Sequence, residues 1–267
     1  NIKELEGYDY SPISDANFGE YDFVLKSPGI KPSDDIVKIL EKDNEIISDI
    51  EASQRLFPEK EKIAITGTNG KTSTTSMVTH ILNECGHPAY AVGNIGEGIL
   101  WQMYDKKGVF VEELSSFQLH DTQTYKPHIG AILNIKEDHI DWHGSFDDYI
   151  DSKLKLAANQ DERDYLVINH EDEISQKHLG DFKAQIYEFS SQNIVDRGLF
   201  LDDNKICFRN GGCNIAEILD VRDLSVIGNH NYENVMAAIL LTYLYGLDFL
   251  DIVKAIKTFK SISHRLE

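Results

Sequence analysis

The sequence predicts an α/β fold in which a mostly parallel sheet is flanked by helices. Three observations predict it. Short apolar runs of strand length recur along the chain, at residues 62–66, 89–92, 108–114, 129–134 and 165–169. Such runs, apolar on both faces, suit strands covered from both sides. Helical periods separate several of them. A glycine-rich turn joins the first of these strands directly to a helix, which places a ligand loop at a strand's C-terminal end.

Taken in order, the first 55 residues read as a separate unit. Residues 22–26 form a short strand that stops at Ser27-Pro28-Gly29, a turn signal. Residues 33–42 read as a helix with Ser33 as N-cap after Pro32. Residues 46–48 offer another short strand, and residues 51–60 a connector ending near Pro58. This is too little for a core of its own, so the unit is expected to complete a sheet whose other strands are missing.

From residue 61 the pattern changes to strand, glycine loop and a helix over 72–83. Residues 185–227 suggest short antiparallel strands around Asn210-Gly211-Gly212. Two helices follow, over 231–245 and 250–259. The division expected is thus 1–55 and 56–267. The opening NIKELEGYDY carries neither Met nor a signal-peptide core, so the chain is expected to start inside a longer protein.

Composition narrows the function. With 26 Lys+Arg against 45 Asp+Glu the net charge is -19. That argues against nucleic acid or an anionic membrane as the main partner, since both reward positive charge. It leaves room for a nucleotide, which needs only a local positive site. No apolar run is long enough for a membrane span. The three Cys, at 85, 207 and 213, form no CxxC pair, so a reducing cytoplasm is the expected location.

The most informative stretch is Thr66-Gly67-Thr68-Asn69-Gly70-Lys71-Thr72-Ser73. Backbone N–H groups of such a loop, together with the helix N-terminus behind it, favour phosphate. Lys71 can reach terminal phosphates, and the Thr72 hydroxyl can meet Mg²⁺. The usual GxxxxGK[ST] spacing needs Gly at position 65, where this chain has Ile, so the loop is a variant. Glu113 ends a predicted strand, where a parallel sheet places ligands, and could hold a metal; alone it reads as a surface acid. His139, Asp141 and His143 invite a zinc reading. Their position after a strand, beside the nucleotide loop, favours one imidazole serving Mg²⁺ and two loop residues. Lys153, on a helix capped by Ser145, reads as a surface lysine.

These motifs occur in a distinctive order: GTNGKT, GNIG (93–96), ELSSFQL (113–119), LNIKEDHIDWH (133–143), the lysine after DYIDS, HNYENVMAA (230–238) and HRLE (264–267). The set resembles the Mur ligases, ATP-dependent amide-bond ligases of peptidoglycan precursor synthesis. ELSSFQL, the HNYxN form and SPGI (27–30) are closest to the members that add D-glutamate to UDP-N-acetylmuramoyl-L-alanine. The resemblance implies three domains: a Rossmann-like UDP-sugar domain, of which 1–55 is a remnant with its linker, a central ATP-binding domain at 56–267, and a C-terminal domain that is not here. The fragment alone is therefore expected to be inactive. The acidic surface favours a monomer.

The resemblance also implies roles. Gly67, Thr68, Asn69, Gly70, Lys71, Thr72 and Ser73 would hold ATP phosphates, with Thr72 also on Mg²⁺. Glu113 and His139 would ligate metal. Lys153 matches a lysine that the family carbamylates, which would turn a cation into a metal-binding anion. Asn94, Ser115 and Gln118 match positions near the UDP-muramoyl substrate. Asn231 and Asn234 match adenine contacts, and Arg265 another nucleotide contact. Another Mur or folylpolyglutamate-type ligase, or a non-catalytic nucleotide-binding fragment, remain the alternatives.

Overall fold

The computed structural model describes residues 21–260. Arg265 and the HRLE segment lie outside the described residues.

A nine-stranded sheet carries the structure. Its strands are β3 (Lys62–Thr66), β4 (Ala89–Gly93), β5 (Val109–Leu114), β6 (Ile129–Ile132), β7 (Tyr165–Asn169), β8 (Gln185–Ser190), β9 (Arg197–Asp202), β10 (Lys205–Asn210) and β11 (Ile215–Asp220). They stand in the order β11-β10-β9-β8-β7-β6-β3-β5-β4. All pairs from β4 to β9 are parallel. The β9-β10 and β10-β11 pairs are antiparallel. The antiparallel expectation for 185–227 therefore holds from β9 onward, while β8 extends the parallel part. The chain leaves β3 toward β4 on one side and later reaches β6 on the other. This reversal of strand order at β3 opens a crevice at the strand ends.

The period-2 alternation of β3 divides the core. Ile63 and Ile65 face α3 (Lys71–Glu84), α9 (Asn229–Tyr245) and α10 (Phe249–Thr258). Ala64, with Phe110 and Leu114 of β5, faces α2 (Asp49–Leu56), α4 (Ile99–Asp105), α5 (Ser116–His120) and α7 (Phe146–Leu154). Helix α9 is buried continuously from Val235 to Thr242, apolar nearly all round as a helix between two layers must be. Each such Leu or Ile contributes about 1.5–3 kcal/mol by leaving water.

Among the described residues of the first unit, β1 (Phe23–Leu25) and β2 (Glu45–Ile47) pair in parallel with each other, apart from the large sheet. Helix α1 (Asp35–Leu40) lies between them in sequence and starts after Asp34 rather than Ser33. The connector expected at 51–60 is mostly helix α2. Ser48 caps it by accepting the Glu51 amide at 3.3 Å. Ile50 enters the same core cluster as Ala64 and Phe110. The Glu51 carboxylate is fully buried and accepts from the Gln123, Thr124 and Tyr125 amides, the Thr124 hydroxyl and Arg55 Nε. Burial pushes its pKa up, but these donors more than offset that and hold it below the usual range. No described helix is long and apolar enough to cross a membrane.

Candidate functional site

The site forms where the switch point meets the glycine loop. Thr66 ends β3 with its hydroxyl donating to Leu114 O at 2.9 Å, which fixes the strand's exit beside β5. Gly67 follows in close quarters. A Cβ there would come within 3.0 Å of Leu133 Cβ and 3.2 Å of Asn69 O. Gly70, at φ +85°, turns the chain into α3, a backbone state that disfavours any side chain.

The segment after β6 clasps this loop. Asn134 O accepts the Thr68 amide at 2.9 Å. Asn134 Oδ1 accepts the Asn69 amide at 2.9 Å, and Asn134 Nδ2 donates to Asn69 O at 3.1 Å. The Thr68 hydroxyl receives the Lys136 amide at 2.9 Å and lies 2.8 Å from the Tyr149 hydroxyl. Thr68 and Asn69 thus spend their own amides on holding the loop's shape. Sequence reasoning missed Asn134 as a clasp; its place immediately beyond a buried strand and opposite the glycines was the available signal.

Two lysines converge on one carbonyl. Lys71 Nζ donates to Gly67 O at 2.7 Å and to Thr68 O at 2.9 Å, lying across the loop. Lys153 Nζ donates to the same Gly67 O at 2.9 Å. Far from being a surface residue, Lys153 is only 2% exposed, with its ammonium 4.8 Å from the centre of the Tyr149 ring. Burial, and then the charge of Lys71, press its pKa well below that of an ordinary lysine. Thr72 and Ser73 occupy the first turn of α3, Thr72 half-buried and Ser73 exposed.

Glu113 lies near the end of β5, the strand next to β3, in register with Ile65. Its Oε1 accepts from Asn94 Nδ2 at 2.9 Å, and its backbone oxygen accepts the Asn94 amide at 2.8 Å. Its Oε2 is buried and has no hydrogen-bond partner. A buried, orphaned carboxylate oxygen near the end of the neighbouring strand is a group that suits a cation. The residues present therefore fit a nucleotide with a divalent ion.

The other expected residues divide. His139 has φ 53°, left-handed for a non-glycine, and its half-exposed ring packs 4.9 Å from the Phe117 ring centre. His143 is buried; its Nδ1 lies 2.6 Å from Asp148 Oδ2 and its Nε2 3.0 Å from Ser116 Oγ. Asp141 is exposed and pairs with Lys31. The three thus point to different partners, and no cluster of three or more His, Cys, Asp or Glu able to hold a metal exists among the described residues. Ser115 caps α5 in a reciprocal capping box with Gln118, whose amide nitrogen reaches Asp49 at 3.2 Å. Asn234 faces the loop, with Thr74 Oγ1 donating to its Oδ1 at 3.4 Å. Asn231 donates to Ile227 O at the start of α9.

The family description "Mur ligase middle domain" matches residues 65–242. Over all of this chain, it is 36% identical to the UDP-N-acetylmuramoylalanine--D-glutamate ligase of Thermoanaerobacter pseudethanolicus and covers 60% of that protein. It is 35% identical to the protein of the same name from Clostridioides difficile, again over the whole chain and 58% of the relative. The chain thus spans about 60% of the length of these curated relatives. Among solved structures, a UDP-N-acetylmuramate:L-alanyl-gamma-D-glutamyl-meso-diaminopimelate ligase from Neisseria meningitides superposes with a TM-score of 0.67 at 17% identity, covering 98% of this chain and 87% of that one. MurF from Acinetobacter baumannii gives a TM-score of 0.62 at 18% identity, over 97% and 64% of the two chains.

Proposed function

The chain belongs to the Mur ligase family, and on that premise we propose that it is the larger part of an ATP-dependent ligase joining D-glutamate to UDP-N-acetylmuramoyl-L-alanine. The names of its relatives support the substrate pair. The observation that carries the chemistry is the convergence of Lys71 and Lys153 on the Gly67 carbonyl, with the orphaned Glu113 oxygen on the strand next to the one that feeds the loop.

In this reading residues 56–267, with helix α2 packed into their core, bind ATP, and the residues before α2 belong to the unit that holds the UDP-sugar. The substrate's carboxylate takes the terminal phosphoryl group of ATP and becomes an acyl phosphate. The amine of D-glutamate then attacks the acyl carbon, and phosphate leaves as the amide forms. Mg²⁺, when bound, supplies charge neutralisation between two anions that must meet. The chain's own part is to hold and orient. Gly67 and Gly70 shape the loop, Lys71 swings its ammonium from the Gly67 and Thr68 carbonyls to the phosphates, and Thr72 and Glu113 offer oxygen donors. His139 stands at the rim as a further ligand. Asn94 fixes the Glu113 rotamer and lies next to the substrate.

Lys153 takes a second role. Its lowered pKa favours the neutral amine, the form that attacks carbon dioxide. The N–C bond forms, the nitrogen gives one proton to solvent, and a carbamate anion stands where the neutral amine was. Asn231 and Asn234 lie at the adenine side, and the whole protein acts as a cytoplasmic monomer. The test is a panel of amino acids offered to the full-length protein with UDP-N-acetylmuramoyl-L-alanine and ATP. Phosphate release with D-glutamate alone is expected; a preference for another amino acid would overturn the assignment.

A further inference from the structure

Nothing in the sequence singles out Lys26. Yet it is 6% exposed, and its environment is built around its charge. Its Nζ donates to Ile30 O at 2.8 Å, across the turn that follows β1. It pairs with Asp121 Oδ2 at 2.9 Å and sits 4.8 Å from the centre of the Trp142 ring. A buried ammonium persists only where such partners hold it.

Asp121 is the more telling partner. It immediately follows α5, and α5 begins at the capping box placed just beyond Glu113. One five-residue helix therefore spans from the end of the Glu113 strand to the residue that grips Lys26. Asp121 is fixed again by His120, whose Nδ1 lies 2.7 Å from Oδ1, and by Ser48, whose amide donates to Asp121 O at 3.2 Å. Helix α5 is braced at its other end. Ser116 Oγ meets His143 Nε2, and His143 Nδ1 meets Asp148 on α7, the helix that carries Lys153. Gln118, between the two ends, reaches Asp49.

We propose that Lys26 is a positioning residue: through Asp121 and α5 it sets the Ser27–Ile30 turn of the first unit against Glu113 and Lys153. This rests on the reading that the first unit holds the UDP-sugar substrate. The reacting carboxylate then arrives on one unit and the phosphoryl group on the other. Reacting atoms must come to about 3–3.5 Å, and a misplacement of about 1 Å costs up to about a hundredfold in rate. A single ion pair at the seam is well placed to hold that distance.

The experiment uses the full-length enzyme with Lys26→Met, which keeps an unbranched side chain without the charge, and with Lys26→Arg. Lys26→Met is expected to lower kcat about tenfold or more, to leave ATP affinity by calorimetry unchanged, and to raise amide hydrogen exchange at Ile30 and Ser48 but not along α3. Lys26→Arg is expected to restore most of kcat. Wild-type kcat in Lys26→Met would overturn the proposal. So would an equal loss of ATP affinity and of exchange protection throughout α3, because that is general destabilisation. If the wild-type enzyme turns over no UDP-muramoyl substrate, the functional reading fails instead, and the exchange pattern at Ile30 and Ser48 still decides whether Lys26 sets the turn.

Discussion

The side-chain oxygen of Asn234 stands 2.3 Å from where a Cβ on Gly70 would be. The first turns of α9 therefore close the phosphate loop from above, and only glycine permits the approach. Asn234 supports the loop as well as facing the proposed adenine side. Replacing it with Ala is expected to weaken ATP and inorganic triphosphate alike, by roughly fivefold for about one lost hydrogen bond's worth of support. Calorimetry with both ligands checks this. A loss confined to ATP would make Asn234 an adenine contact alone.

Gly70→Ala combines that clash with a left-handed backbone that costs a non-glycine residue about 1–2 kcal/mol. The loop is expected to lose nucleotide binding before the fold is lost, since Gly70 lies outside the apolar clusters. Binding isotherms set beside urea unfolding of the same variant separate the two effects.

Lys71→Ala in the full-length enzyme is expected to reduce acyl-phosphate formation at least about a hundredfold, the scale for removing a preorganised charge from a transition state. Trapping the acyl phosphate with hydroxylamine reports it directly. Unchanged trapping would remove Lys71 from the reaction.

Lys153→Ala should be inactive and recover partly when a small carboxylate such as acetate is added, because the carboxylate replaces the anion that the carbamate provides. Labelled bicarbonate should give a carbamate carbon signal in the wild type and none in the variant. The amine itself sets a pH trend. Its folded pKa lies well below the unfolded value of 10.5, so between the two the unfolded chain binds more protons. Stability in carbon-dioxide-free buffer therefore rises with pH up to about 10.5, and Lys153→Met should flatten that rise in urea unfolding.

Glu112, one residue before Glu113, points to the opposite face and is fully buried. Burial raises its pKa to about 7, although Lys62 and the Tyr125 hydroxyl pull it down. The folded state thus holds a proton that the unfolded chain releases near 4.5. Stability is fully present below that pH and falls as pH rises through about 7, by about 3 kcal/mol at most. Glu112→Gln keeps the oxygen facing Tyr125 and removes the titration, so its unfolding free energy should stay level from pH 5 to 8 where the wild type's declines.

Much of this was legible in the chain. The loop and its flanking strand and helix announced themselves because glycines, Lys71 and Thr72 are local signals. The parallel strands showed as apolar runs because both their faces are covered. Helix α2 was hidden because Glu51, Ser53 and Arg55 read as solvent-facing, whereas Glu51 is buried to serve a distant turn. Lys153 read as a surface residue for the same reason: its ammonium is held by Thr66 and Gly67, more than eighty positions away. The His143–Ser116 and Lys26–Asp121 pairs likewise join segments far apart in sequence, and no periodicity records them.

The Glu51 carboxylate has a practical consequence for cutting this protein apart. A clone that began at residue 56 would keep the Gln123–Tyr125 turn but discard the acceptor for its three amides. It would also uncover the apolar patch that Ile50 seals. Such a product should be poorly soluble. A start upstream of Ser48 retains the helix, its cap and the carboxylate, whatever boundary a motif search would draw.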